Sequence, residues 1–135
     1  MSILTIIDNE FATLKYYPET KIVHHVFHKP ISGAAFREVL DAGIELLKKY
    51  GAQKWLSDDR ENMALPPEDS EWAKIDWFSR AAAAGWKYWA LVVPPYDLAA
   101  KQNYNEFIDN VFDQGVRTMV FTESESGLAW LKDIS

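Results

Sequence analysis

AQKWLSDDRENMALPPEDSEWAKIDWFSRAAAAGWKYWALVV, residues 52–93, is the stretch whose reading decides the fold. Ala52 to Ser57 is a short run fit for a strand, and Asp58 to Pro66 has the composition of a loop. Pro67 suits the first turn of a helix, and Glu68 and Asp69 complement its dipole. That helix is expected to continue to about Ala84 and to stop at Gly85. It carries two stripes: Trp72, Ile75, Ser79 and Ala82, and Trp77, Ala81 and Ala84. Trp86 to Val93 returns to strand composition, and Pro94-Pro95 ends it. A strand, a helix and a strand in this length make a crossover unit, which requires a parallel pair with a right-handed connection.

Downstream the pattern repeats. Asp97 is placed to cap a helix whose face is Tyr104, Phe107, Ile108, Val111 and Phe112, ended by Gly115. Val116 to Phe121 is the next strand. Thr122-Glu123-Ser124-Glu125 has the capping-box pattern and opens a last helix carrying Leu128, Leu131 and Trp130. Upstream the period is different. Ile3 to Ile7, Phe11 to Tyr17 and Lys21 to His28 alternate with period two, with turn residues at Asp8-Asn9-Glu10 and Pro18-Glu19-Thr20. Val23, His25 and Phe27 share one face of the third strand, and Ile22, His24, Val26 and His28 the other. Ser32 to Tyr50 is helical in period, with Phe36, Val39, Leu40, Gly43, Leu47 and Tyr50 on one stripe. Ser32 is the expected N-cap and Gly51 the expected C-cap. Gly43 inside that stripe costs about 1 kcal/mol against Ala, which close packing on a sheet would explain.

The order is therefore β-β-β-α-β-α-β-α-β-α, an α/β fold in one domain, 1–135. Its sheet is mixed, and mostly parallel after the N-terminal hairpin. With 48% hydrophobic and 25% charged residues the composition is that of a packed globular chain. The formal net charge of −6 shows no basic face, so nucleic acid is not an expected partner. No cysteine is present, which removes thiol nucleophiles, disulfides and thiolate zinc sites. The opening MSILTIIDNE lacks a charged leader, and no apolar run could insert into a membrane. A cytoplasmic location is expected.

In open α/β sheets ligands bind beyond the carboxyl ends of the parallel strands. That places the candidate functional rim at His28, Ser57, Asp58, Asp59, Arg60, Tyr96 and Glu123. Neither GxGxxG nor GxxxxGK[ST] occurs, and the rim is acidic, so nucleotide binding and any other cofactor are not expected. The Asp58-Asp59 pair has the chemistry to hold Mg²⁺. Capping the loop, or pairing with Arg60, is the favoured role. His24 and His28 share a face, yet their Cα atoms are about 13 Å apart, too far to share an ion. No metal site is expected. An enzyme at the acidic rim would need Asp58, Asp59 and His28 to converge, and nothing in the spacing demands that. Trp55, Trp72, Trp77 and Trp89 are candidates for an apolar pocket or an interface.

KWLSDDR at Lys54 to Arg60, EW at Glu71-Trp72, GWKYWALV at Gly85 to Val92 and LAWL at Leu128 to Leu131 carry a closer resemblance. Together with the element order they resemble the STAS superfamily, in particular small SpoIIAA-like bacterial proteins of largely unknown function. The resemblance implies a non-enzymatic regulatory or protein-interaction module with a protein partner or a homodimer. It also implies a phosphoacceptor serine near Ser70, or else Ser57, although Ser70 is followed by Glu71-Trp72 and not by a small residue and Gly. The alternative is a small-molecule or lipid-binding domain whose pocket is lined by tryptophans.

Overall fold

The computed structural model describes residues 2–62, 65–95 and 98–134. Six strands form one sheet: β1 Leu4–Asp8, β2 Ala12–Tyr17, β3 Ile22–Phe27, β4 Lys54–Asp58, β5 Tyr88–Val92 and β6 Arg117–Phe121. They lie side by side in the order β1-β2-β3-β4-β5-β6. The pairs β1/β2 and β2/β3 are antiparallel, and the next three are parallel. Four helical units follow the strands: α1 Gly33–Tyr50; a continuous run of α2 Pro67–Trp72, a π-helical turn Ala73–Trp77 and α3 Phe78–Ala83; α4 Leu98–Asp113; and α5 Ser124–Asp133. The α/β class and the mixed sheet agree with the sequence reading. Among the described residues no helix is long and apolar enough to cross a membrane.

The strand order decides where the helices go. Each crossover steps to the adjacent strand in the same direction. Right-handed connections of that kind put every crossover helix on one face of the sheet. That face, called the front here, holds the larger core: Trp55, Trp89 and Leu91 from the strands meet Val39, Leu47, Trp77, Phe78, Ala81 and Val111 from the helices. The back is covered by α5, where Leu131 packs on Ile22, Leu56, Ala90 and Val92. Because strand side chains alternate, Trp55 and Ser57 face front while Leu56 and Asp58 face back.

Gly43 lies where α1 crosses β4. A Cβ there would collide with Trp55 Cη2 at the edge of the six-membered ring, with the two adjoining ring carbons at 2.7 Å. The expected close packing is thus an indole seated in a glycine notch. Gly127 does the same on the back, where a Cβ would stand 2.9 Å from Leu56 Cδ1.

Three local expectations need correction. Ser32 occupies the N-cap position but makes no side-chain cap bond. Asp69 of α2 does that work, accepting from Gly33 N–H at 2.8 Å and from Arg37 Nε at 3.2 Å. The Thr122–Glu125 capping box does not form either: Glu123 is the N-cap, without a side-chain bond. Ser124 sends its hydroxyl to Asp58 instead, at 2.7 Å. The stripe Trp72, Ile75, Ser79 and Ala82 is broken, because the π turn adds a residue and shifts the phase. Ala73, Trp77, Phe78 and Ala81 are buried, and Ile75 is 71% exposed. Asp97, the expected cap of α4, lies outside the described residues.

Replacing Gly43 by Ala forces a methyl group into the Trp55 ring, so about 1–3 kcal/mol of stability is expected to be lost. Trp55→Leu should cost stability alone, yet reduce the penalty of Gly43→Ala when combined with it. Urea melts of the two single variants and the double variant would reveal that coupling; strict additivity would refute the notch.

Candidate functional site

Parallel pairing sets His25 of β3 beside Ser57 of β4. Trp55, Ser57 and Asp59 follow one another on the front at spacing two. The Asp59 N–H bonds to the Val92 carbonyl at 3.1 Å, which carries the ladder one residue past the strand. Three buried side chains are then linked in series. Trp55 Nε1–H donates to His25 Nδ1 at 3.0 Å, and His25 Nε2 meets Asp59 Oδ1 at 2.8 Å. An indole nitrogen only donates, so Nδ1 must accept. The network therefore assigns the ring hydrogen to Nε2, aimed at the carboxylate. Tyr104 of α4 gives its hydroxyl to Asp59 Oδ2 at 3.0 Å. Burial, and then the Asp59 charge beside it, push the Tyr104 phenol well above its ordinary range, so it stays a donor. Asp59 thus receives two uncharged donors. Among the described residues no lysine or arginine forms an ion pair with it.

Beside this carboxylate lies a cavity of about 40 Å³ between the sheet and the helix layer. Phe36, Trp77, Phe78, Trp86, Trp89 and Phe107 form its apolar wall, and Ala73 of the π turn borders it. A water needs about 10–15 Å³ of such volume, so the space suits an occupant of about three heavy atoms. Of the four candidate tryptophans, Trp77 and Trp89 line the cavity. Trp55 is buried behind it as the anchor of His25. Trp72 is half-buried, with the Arg37 and Arg80 guanidinium groups 5.1 and 5.8 Å from its ring.

The predicted rim is divided by the sheet. Asp58 faces back, where Arg60 grips it with Nε at 2.9 Å and a terminal nitrogen at 2.7 Å. Burial pushes its carboxyl up, but the hydrogen bonds from Arg60 and Ser124 outweigh that and hold it below the usual range. The expected pairing of this acid with Arg60 is what forms. Asp58, His28, Arg60, Glu61, Pro94 and Thr122 border an open cleft of about 410 Å³. His28 turns to the Thr13 hydroxyl, 2.7 Å away, and not to either acid. The convergence of Asp58, Asp59 and His28 that an acidic-rim enzyme would require is therefore not formed. Period two sends the adjacent acids to opposite faces. Glu123 is exposed at the start of α5. Tyr96 lies outside the described residues. Ser57 is only 4% exposed and accepts the Trp89 indole N–H at 2.8 Å, so it presents no surface hydroxyl. Ser70 is half-buried in the first turn of α2, its N–H on the Pro66 carbonyl.

No family model, curated protein or solved structure matches this chain. The STAS resemblance accordingly stands on the sequence blocks and the element order alone.

The residues that sequence reasoning passed over are His25, Trp86 and Tyr104. In the sequence His25 shares a strand face with Val23 and Phe27, and Tyr104 belongs to the amphipathic stripe of its helix. One signal was present. Ser57 and Asp59 share a face with Trp55, so two polar groups lie on the side of β4 that the helices cover.

His24 sits on the back, with Nδ1 at 2.8 Å from the Tyr17 hydroxyl and Nε2 without a partner. Burial, then His25 and Lys15, lower its pKa to about 4 against a smaller opposing effect of Asp58. Below the unfolded value of about 6.5 the unfolded chain binds the proton and the folded one does not. Stability is therefore complete above about pH 6.5 and falls toward pH 4, by about 2–3 kcal/mol between pH 7 and 4.5. Urea melts at those two pH values should show this loss, and His24→Gln should remove most of it. An equal loss in the variant would refute the assignment.

Proposed function

We propose that this protein is a binding module for a compact small molecule, which occupies the aromatic cavity with a hydrogen-bond donor turned to Asp59. The observation that carries this reading is the Asp59 carboxylate, 7% exposed, set in a wall that is otherwise mostly apolar. Ligand pockets commonly combine a large apolar lining with a few convergent polar groups. The cavity volume narrows the tryptophan-lined alternative. An acyl chain needs a space of several hundred Å³, so a lipid cargo is disfavoured and a compact ligand favoured. Binding is favoured over catalysis because Asp59 is held by two donors and the second acid faces away.

A STAS-type regulatory module acting through a protein partner is the second reading. The β-β-β-α-β-α-β-α-β-α order supports it at the level of architecture. Ile75 and Phe112, both on the helix layer and about 70% exposed, favour a contact surface there. Trp77, the side chain whose exposure would have marked such a surface, is only 3% exposed. The two readings are compatible in one chain, but only the first has a bounded site.

At the ceiling of about −1.5 kcal/mol per heavy atom, a three-atom ligand binds with a Kd of about 0.5 mM at best. A panel of charged and neutral compounds of two to five heavy atoms should therefore include some that shift the indole N–H resonances saturably at millimolar concentration. Ala73→Leu, which fills the cavity, should abolish those shifts while the rest of the amide spectrum is kept. If no compound in the panel gives a saturable shift, the binding reading is wrong.

A further inference from the structure

We infer that the cavity selects a small cation of the alkylammonium class. The inference rests on the cavity being a ligand site and adds the sign of the ligand's charge. Among the described residues Asp59 is the only carboxylate in the wall, and no lysine or arginine lines it. The neighbouring cations are committed elsewhere: Arg60 to Asp58 on the other face, Arg37 to Asp69, Lys74 to Glu106, and Arg80 to Asp41 and Asp76. The fold also withholds a cation at the one place where it could supply it most easily. Trp55 occupies His25 Nδ1 with a donor, so His25 reaches Asp59 through Nε2–H as an uncharged partner. Tyr104 is the other partner, and it too is uncharged.

Among the described residues the result is a buried negative charge that is hydrogen-bonded but not neutralised. Buried charges are normally paired, because leaving one unpaired costs several kcal/mol. Two donors leave further lone pairs on the carboxylate, since an ionised carboxylate accepts about four hydrogen bonds. The aromatic faces of the lining favour the same sign of charge, while the buried, partnerless indole N–H groups of Trp77 and Trp86 call for an acceptor. Trp77, Trp86, Trp89, Phe78 and Phe107 surround the space, and the faces of such rings carry negative potential that attracts ammonium groups. An anion would meet the Asp59 charge with no compensating cation among the described residues of the wall. A neutral alcohol of the same size could donate one hydrogen bond but would leave the charge in place.

The test compares two pairs of equal size on the wild-type protein: ethylammonium with ethanol, and isopropylammonium with isopropanol. Ionic strength is matched with sodium chloride, and the indole N–H resonances are followed by NMR. The ammonium member of each pair is expected to bind roughly tenfold tighter than the alcohol, the advantage of a charge-assisted hydrogen bond. Asp59→Asn keeps the shape and removes the charge, so it should erase the difference within each pair. Should that variant not fold, the wild-type comparison still decides. Alcohols binding as tightly as ammonium ions, or tighter, would overturn the cation assignment and leave the binding reading intact. If neither member of either pair gives a saturable shift, the cation assignment falls; failure of the wider panel as well is what removes the binding reading. Equal ammonium preference in Asp59→Asn would also overturn the assignment, because the charge would not be its source.

Discussion

The contact between the Trp55 indole and the notch at Gly43 is the constraint on which the site depends. It fixes two things at once. The six-membered ring sets how closely α1 approaches β4, since any side chain at position 43 would collide with it. The N–H at the other end of the same indole sets the orientation of His25. A side chain locked at both ends has little rotamer freedom, and that stiffness passes along the series to Asp59. Phe in place of Trp55 could fill much of the notch but could not hold the imidazole. The glycine therefore acts on the polar site through packing, two residues removed from the carboxylate.

Topology supplies the second constraint. Because every crossover steps to the next strand, the helices accumulate on the front, and α5 alone covers the back. The two faces at the end of β4 then become different environments. On the back Asp58, though just as buried, is reached by Arg60, whose side chain is 41% exposed, and it ties the loop to α5 through Ser124. On the front Asp59 is enclosed by the helix layer and, among the described residues, meets only neutral donors. Adjacent residues of identical chemistry thus take opposite roles. One completes a structural clasp, and the other becomes the charged wall of a cavity.

The architecture was largely legible in the sequence, because it depends on periodicity, and periodicity is a property of sequence. Boundaries moved where backbone bonds intervened. Trp86 reads as strand, but its N–H goes to the Ala81 carbonyl, so it belongs to the turn and the strand starts at Tyr88. The π turn was not legible, since composition does not announce a phase shift that buries Ala73 and Phe78 and leaves Ile75 and Ser79 exposed. Of the site, Ser57 to Asp59 was found from the strand-end rule. The partners were not, because they come from register and from a helix distant in sequence. His25 meets Ser57 only through the pairing of β3 with β4, and Tyr104 lies 45 residues from Asp59. His28 lies just past β3 on the back and bonds Thr13, whereas His25 lies on the front with Asp59, because the sheet divides the rim in two.

The site also stands out by what it costs. At about 24 cal/mol per Å³, a 40 Å³ cavity forgoes about 1 kcal/mol of packing. A buried carboxylate without a counter-charge costs more. The π turn gives up regular helical hydrogen bonding where Ala73 and Trp77 meet the same space. Each feature alone has precedent in well-packed proteins. Their coincidence in one volume, under a core whose aromatic rings otherwise interlock, does not follow from stability. Sequences meet the rules of packing and pairing nearly everywhere, and breaches gather where function requires them. An apolar side chain at position 59 and a bulkier one at position 73 would remove two of the three costs within the same fold. That this chain has an acid at one and an alanine at the other fits the proposed binding of a charged occupant.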